Sequence, residues 1–370
     1  MSDSLPSDAN VLETSPSPRF PQCVIRGVPI SRQRPVIGQL DGFSVKRGYG
    51  ESDLGYELGC QTGRGPALQI QKGHLVIIGG AEDRRGDKKI LAKVVELSGG
   101  GSAHIVVLTT ASSLGPEVEV VYDRAFRDLG ASRVTVLHIH DRLDANDPRL
   151  AEIVLQASGI FMTGGDQSRL ASILGGSEVG KAMHRAFKKR GACVAGTSAG
   201  ASAISEHMVA SGRSGVHPKK GMLNLVPGLG LLNRVIIDQH FSQRHRLGRL
   251  LSIVAQNPFL LGVGIDEDTA IVVDPHTDLS VIGRGAVTIL DARGMSFSNV
   301  NEARRGEILA MTDIQFHLLP AGYRFHIETR LPRSMVGAVA SPLADTNFET
   351  TSSRFSGDVG EWIKEEAEAT

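Results

Sequence analysis

A serine stands between two glycines in Gly196-Thr197-Ser198-Ala199-Gly200, directly after the apolar run Ala192-Cys193-Val194-Ala195 and before Ala201-Ser202-Ala203-Ile204. A buried strand that turns into a helix at a serine lifts the hydroxyl above the sheet in a strained backbone, and flanking glycines let neighbouring segments pass without a Cβ clash. That is the context of a nucleophile elbow. A serine hydroxyl is a weak nucleophile until an imidazole takes its proton, and the imidazole needs a carboxylate to fix its tautomer and stabilise its charged form. Among twelve histidines, His240 in Ile236-Ile237-Asp238-Gln239-His240-Phe241 sits where an apolar strand leaves its sheet. The carboxylate comes from Gly264-Ile265-Asp266-Glu267-Asp268-Thr269, after another apolar run, with Glu267 the first choice and Asp266 and Asp268 in competition.

Polar residues concentrate again in 238–250, where Arg244, Arg246 and Arg249 follow the candidate base. Their guanidinium groups offer planar, paired donors to carboxylates. With 242–256 read as a helix, Arg246 and Arg249 share a face, while Arg244 points about 200° away from Arg246 at roughly 100° per residue. A solvated basic helix face is the plain alternative. For a developing oxyanion, the backbone N–H of Ala199 follows the nucleophile. A second donor is expected from Gly164-Gly165-Asp166-Gln167 after the neighbouring strand, with Gly165 preferred to Gly164; an ordinary βα turn is the competing reading.

These groups converge only if several strands end at one edge. Leu75-Val76-Ile77-Ile78 precedes a helix-compatible segment at 88–97, Ile105-Val106-Val107-Leu108 precedes 117–129, and Val134-Thr135-Val136-Leu137 precedes 148–156. Ile160-Phe161-Met162 precedes 168–174 and 179–190, and the strand before Ser198 completes the series. Short continuous apolar runs alternating with amphipathic helices predict an α/β fold with a mostly parallel central sheet covered by helices on both faces. Sites in such sheets form at the carboxyl ends of the strands. Runs at 233–237 and 261–265 add strands, and those at 269–273, 279–282 and 286–290 read as an antiparallel meander, a C-terminal β extension. Residues 1–22 read as a flexible N-terminal tail, 23–70 as an extension of unclear structure, 71–340 as the catalytic domain and 341–370 as a polar C-terminal tail.

Composition narrows the partners. The 370 residues are 41% apolar, and 40 basic side chains balance 40 acidic ones, so no overall field holds a nucleic acid or an anionic membrane. No run is long enough to span a membrane, and Met1-Ser2-Asp3-Ser4-Leu5-Pro6 lacks the start of a signal peptide, so a cytoplasmic location is expected. Cys23, Cys60 and Cys193 are too few for a disulfide framework or a cysteine metal site, and Cys193 reads as an inert core residue. No metal and no cofactor are expected: His138-x-His140 lacks further ligands nearby. The loop from Gly175 to Lys181 imitates a phosphate-binding loop but has Ala182 where Ser or Thr would hold magnesium.

The elbow at 196–202, the run Asp238-Gln239-His240-Phe241 with Arg244, Arg246 and Arg249, and Gly264-Ile265-Asp266-Glu267-Asp268-Thr269-Ala270 together resemble the cyanophycinases. These are serine peptidases grouped with the aspartyl dipeptidase peptidase E. The resemblance covers about residues 70–330. It implies a class I glutamine amidotransferase-like fold, a homodimer, and hydrolysis of cyanophycin, a polymer with an aspartate backbone whose β-carboxyl groups are each joined to the α-amino group of an arginine. The partner is then the polymer or β-Asp-Arg-containing peptides, and the product the β-Asp-Arg dipeptide, formed through an acyl-enzyme. Carried onto this sequence, Ser198 is the nucleophile, His240 the general base and Glu267 the orienting acid. Gln167, Asp238, Gln239, Arg244, Arg246 and Arg249 bind substrate. A repeating unit with free carboxylates and guanidiniums suits a pocket holding both arginines and an acid. The order Ser…His…Glu departs from the Ser…Asp/Glu…His of α/β-hydrolases and argues against a lipase or esterase. Two alternatives stay in view: a peptidase E-like dipeptidase acting on short peptides with an N-terminal aspartate, and a non-catalytic binding module on the same scaffold.

Overall fold

The computed structural model describes residues 72–112 and 117–333, all within the compact unit that begins at Pro66. The 1–22 tail, the 23–70 extension, the 341–370 tail, Cys23 and Cys60 lie outside the described residues.

Five short apolar runs form the parallel part of the main sheet: β1 (Leu75–Ile78), β2 (His104–Leu108), β3 (Arg133–Leu137), β4 (Gly159–Met162) and β5 (Cys193–Thr197). They lie in the order β3-β2-β4-β5-β1, so the elbow strand β5 is flanked by β4 and β1. Successive side chains of a strand point to opposite faces, and the buried residues divide accordingly. Leu75, Ile77, Val106, Leu108, Ile160, Met162 and Val194 pack on one face, Val76, Ile78, Ile105, Val107, Phe161, Cys193 and Ala195 on the other. The intervening helices are α1 (Lys89–Leu97), α2 (Glu117–Asp128), α3 (Arg142–Ala145), α4 (Pro148–Gln156), α5 (Gln167–Leu174) and α6 (Glu178–Arg190), and α7 (Ala199–Ile204) follows the elbow. Short polar side chains start them where the strands end: Asp147, Asp166 and Ser177 accept N–H bonds from the first turns of α4, α5 and α6. Gly191 stops α6 at φ 75°.

The remaining strands extend the main sheet, build a second one and form two small ribbons. β6 (His207–Gly212) and β7 (Leu223–Pro227) form a hairpin, and β8 (Val235–Gln239), α8 (Leu247–Gln256) and β9 (Leu261–Ile265) form a parallel βαβ unit. β10 (Thr269–Val273) adds to the main sheet antiparallel to β1, and β11 (Asp278–Gly283) follows antiparallel to β10. β12 (Ala286–Asp291) instead pairs with β9 in a second, four-stranded sheet. β13 (Phe297–Ser298) and β14 (Met311–Thr312) make a small ribbon, β15 (Gln315–Pro320) closes the second sheet, and β16 (Arg324–His326) and β17 (Leu331–Arg333) extend the main one.

Three expectations are thereby corrected. The meander does not continue through 286–290: Gly283, at φ 110° and with room for no Cβ against the Asp268 carbonyl, turns the chain out of the main sheet after β11. The strand expected at 233–237 lies two residues later, so Asp238 and Gln239 belong to it. The helix expected over 242–256 starts at Leu247. Residues 241–245 are turns, held by the Ser242 N–H on the Asp266 carboxylate (3.0 Å) and by the Gln243 amide oxygen accepting from the Glu267 N–H (3.1 Å). Among the described residues no helix is long and apolar enough to cross a membrane.

Phe161 is fully buried, with ring centroids 4.8 Å from Tyr122 and 5.2 Å from Phe126. Phe161→Ala is expected to lower unfolding free energy by about 3–5 kcal/mol, measured by urea denaturation. A loss under about 1 kcal/mol would show that this aromatic cluster does not hold α2 to the sheet.

Candidate active site

Ser198 lies between β5 and α7 with φ 51° and ψ −108°, outside the regions a non-glycine residue favours. The glycines on either side allow this turn. A Cβ on Gly196 would lie 2.5 Å from the Gly200 carbonyl carbon, and one on Gly200 would lie 2.4 Å from the Met162 carbonyl oxygen. The raised hydroxyl meets His240: Oγ is 3.0 Å from Nε2. On the far side of the ring, Nδ1 is 2.6 Å from Glu267 Oε1. Asp266 and Asp268 are engaged elsewhere, Asp266 accepting from the N–H groups of Ser242 and Ala286 and Asp268 from that of Asp83. Glu267 is thus the carboxylate of the three that reaches the imidazole.

The end of β1 organises this line. Three consecutive carbonyl oxygens, of Ile78, Gly79 and Gly80, accept from the N–H groups of Ser198 (3.1 Å), His240 (2.8 Å) and Asp268 (2.9 Å). Each segment of the Ser–His–Glu line is therefore tied to one short stretch of backbone. Gly80 must be glycine, because at φ 101° its Cβ would come 2.3 Å from the His240 ring. The His240 imidazole is buried, and burial holds it below its ordinary value of 6.5. The Glu267 hydrogen bond opposes this, while the nearby Arg244 and Arg246 cations add to the lowering. At neutral pH the ring is a neutral acceptor for the serine proton.

Ala199 opens α7, with its N–H at the helix N-terminus beside Ser198. Gly164 and Gly165 both line the cavity over the serine; a Cβ on Gly164 would sit 3.3 Å from Ser198 Cβ, and Gly165 (φ 140°) is pressed against the Ala111 carbonyl. Gln167 begins α5 and spends its side-chain N–H groups on the carbonyls of Val209 (2.9 Å) and Ala210 (3.3 Å). Gln239 Oε1 lies 3.5 Å from Ser198 Oγ. Asp238, 1% exposed, is gripped from two sides by the buried guanidiniums of Arg246 and Arg249, and Arg246 also donates to the Gln239 carbonyl. Arg244 is exposed in the turn after His240 and has no carboxylate partner among the described residues.

The cavity above the serine, about 310 Å³, is also walled by residues the sequence reading passed over: Glu82, Arg84 and Tyr122. Glu82 follows β1 within Gly79-Gly80-Ala81-Glu82, so the rule that singled out His240, a polar residue just past a buried strand, applied equally to it. Outside the site, His138 lies just past β3 and bonds Thr109 (3.1 Å) and Glu119 (2.7 Å). Among the described residues no three His, Cys, Asp or Glu side chains are grouped to hold a metal. Burial pushes the Cys193 thiol up to about 12, which keeps it protonated and unreactive.

The profile of peptidase family S51 matches residues 75–280. The chain is 36% identical to a cyanophycinase of Geminocystis herdmanii over 271 residues, covering 73% of this chain and 99% of that protein. It is 36% identical to a cyanophycinase of Trichormus variabilis, covering 74% and 92%, and 37% identical to one of Synechococcus elongatus, covering 70% and 80%. The crystal structure of a peptidase from an acI-B1 Actinobacterium shares the fold, with a TM-score of 0.53 at 21% identity over 70% of this chain and 98% of that one. A family profile over more than half of the chain, together with these relatives, shows that the protein belongs to peptidase family S51 and is a serine-type peptidase.

Proposed function

We propose that the protein hydrolyses cyanophycin to β-Asp-Arg dipeptides, with Ser198 as nucleophile, His240 as general base and Glu267 as the acid that orients it. The observation that carries this reading is the unbroken line from Ser198 Oγ through both ring nitrogens of His240 to Glu267, in a chain whose relatives are cyanophycinases. Ser198 Oγ attacks an amide carbonyl of the aspartate backbone as its proton passes to His240 Nε2. The N–H groups of Ala199 and Gly165 donate to the oxyanion, and Glu267 stabilises the imidazolium through Nδ1. As the C–N bond breaks, His240 returns the proton to the leaving amine and an ester on Ser198 remains. Water then attacks the ester, again losing its proton to His240, and Ser198 leaves as the hydroxyl.

In this reading Gln167, Asp238, Gln239, Arg244, Arg246 and Arg249 form the binding side. Arg244, exposed and without a carboxylate partner among the described residues, presents its guanidinium to a substrate carboxylate. Asp238 with Arg246 and Arg249 forms a fixed ionic floor that sets where Gln239 and His240 emerge. The catalytic unit is taken as 71–340, acting as a homodimer in the cytoplasm, an assembly and location that the family resemblance and the composition support.

Incubation with purified cyanophycin should release β-Asp-Arg, identified by mass, and Ser198→Ala should lower kcat by on the order of 10⁴-fold or more with the fold unchanged by circular dichroism. Release at the wild-type rate by that variant would remove Ser198 as nucleophile, and cleavage of Asp-X dipeptides in preference to the polymer would favour a dipeptidase.

The base works only when neutral, so kcat/KM is lost as pH falls through the His240 pKa. Because burial and the two arginines lower that pKa, the acid limb should lie below pH 6.5. Arg244→Gln removes one of the cations and should move the limb to higher pH, read from the pH profile of kcat/KM. A limb unmoved in that variant would show that Arg244 does not act on the base.

A further inference from the structure

One buried carboxylate in the cavity has no part in the Ser–His–Glu line. Glu82 is 3% exposed and lines the same cavity as Ser198, His240, Gly164 and Gly165. Its Oε1 accepts from the Tyr122 hydroxyl (2.5 Å) and its Oε2 from the hydroxyl of Thr197, the residue before the nucleophile (2.5 Å). Both donors are neutral. Burial and the adjacent Glu82 charge hold the Tyr122 phenol well above its usual range, so it stays a donor. Among the described residues no Lys, Arg or His forms an ion pair with Glu82; Arg84 lies over the Tyr122 ring instead, 5.7 Å from its centroid. A carboxylate has about four acceptor sites, and the protein uses one on each oxygen. Among the described residues Glu82 therefore keeps one acceptor site per oxygen unused, in a wall from which water is largely excluded.

We propose that Glu82 binds a cationic N–H group of the substrate, the planar guanidinium of an arginyl unit, in the cavity that holds the reacting carbonyl. This rests on the peptidase reading of the site. The two unused acceptor sites suit the paired donors of a guanidinium. Arg84, exposed on the same wall, carries the opposite charge, so the wall presents both signs to a unit with one guanidinium and one carboxylate. A brace for Thr197 and Tyr122 alone would need acceptors but no net charge. The charge is what a cationic ligand reads. A chain-end ammonium shares this chemistry and is the other source of the cation.

The test compares three synthetic probes: β-Asp-Arg oligomers, the same oligomers with neutral citrulline in place of arginine, and the arginine oligomers acetylated at the N-terminus. Binding is measured by calorimetry to Ser198→Ala and to Ser198→Ala with Glu82→Gln, and turnover is measured with Ser198 intact. With Glu82 present, arginine oligomers should bind about 30-fold or more tightly than citrulline oligomers. Glu82→Gln should abolish the preference while citrulline binding changes less than about threefold, and in turnover the loss should fall on KM rather than kcat. If acetylation, and not citrulline, removes the Glu82-dependent affinity, the cation is the chain end and Glu82 still reads it. Equal affinity for all three probes, or an equal loss on all three in the Gln variant, overturns the proposal. Should Glu82→Gln lose its fold, Glu82→Asp, which keeps the charge but withdraws it by one methylene, is read in its place; an unchanged preference there overturns the proposal too. Cleavage of all three probes without preference leaves the peptidase reading standing and this one fallen. A charge preference in binding without any cleavage does the reverse.

Discussion

Three backbone carbonyls in a row, at residues 78, 79 and 80, are the constraint on which the rest of the site depends. Each accepts one N–H, from Ser198, from His240, and from Asp268, the residue after Glu267. Side chains give the line its chemistry, but these bonds set where the side chains start. The arrangement also holds backbone conformations that would not persist alone. Ser198 and His240 both have positive φ, 51° and 47°, each costing on the order of 1–3 kcal/mol unless the surroundings impose it. Gly79 and Gly80 are glycines for the reason the elbow is flanked by them: backbone and ring approach to distances a Cβ would forbid.

The arginine-rich segment illustrates how local geometry redirects a chemical reading. Arg246 and Arg249 stand three residues apart and share a helix end, and both turn onto one buried aspartate. Removing a single partner from such a cluster would strand charge, so its members hold one another in a fixed arrangement. Arg244 escapes this because the chain there is a turn and not a helix, which leaves its side chain exposed near His240.

Much of this was legible in the sequence. The five parallel strands were readable because strands buried on both faces become continuous apolar runs, and the polar residue just past each run marks a strand end. Ser198, His240 and Glu267 were picked out that way, and the structure brings their side chains together. The division into two sheets was not, because Val235–Gln239 and Leu261–Ile265 are as apolar as the strands of the main sheet, and nothing local states which partner each one takes. The start of α8 was misplaced because 241–245 is held as turns by bonds to a distant segment, the Ser242 N–H donating to Asp266 and the Gln243 amide oxygen accepting from the Glu267 N–H, which no local pattern announces. Glu82 was hidden in the charged stretch before α1. Glu, Asp and Arg in a row look like solvated surface until the fold turns one of them inward.

Ser198 rides on the main sheet, whereas His240 and Glu267 follow strands of the second. The line from Ser198 to Glu267 therefore spans two sheets, which are bonded to each other at this point through the Gly79 and Gly80 carbonyls. The distance from His240 Nε2 to the Ser198 hydroxyl is then set by backbone bonds that cross from one sheet to the other, so the same few bonds that join the two sheets also fix the alignment of the two side chains.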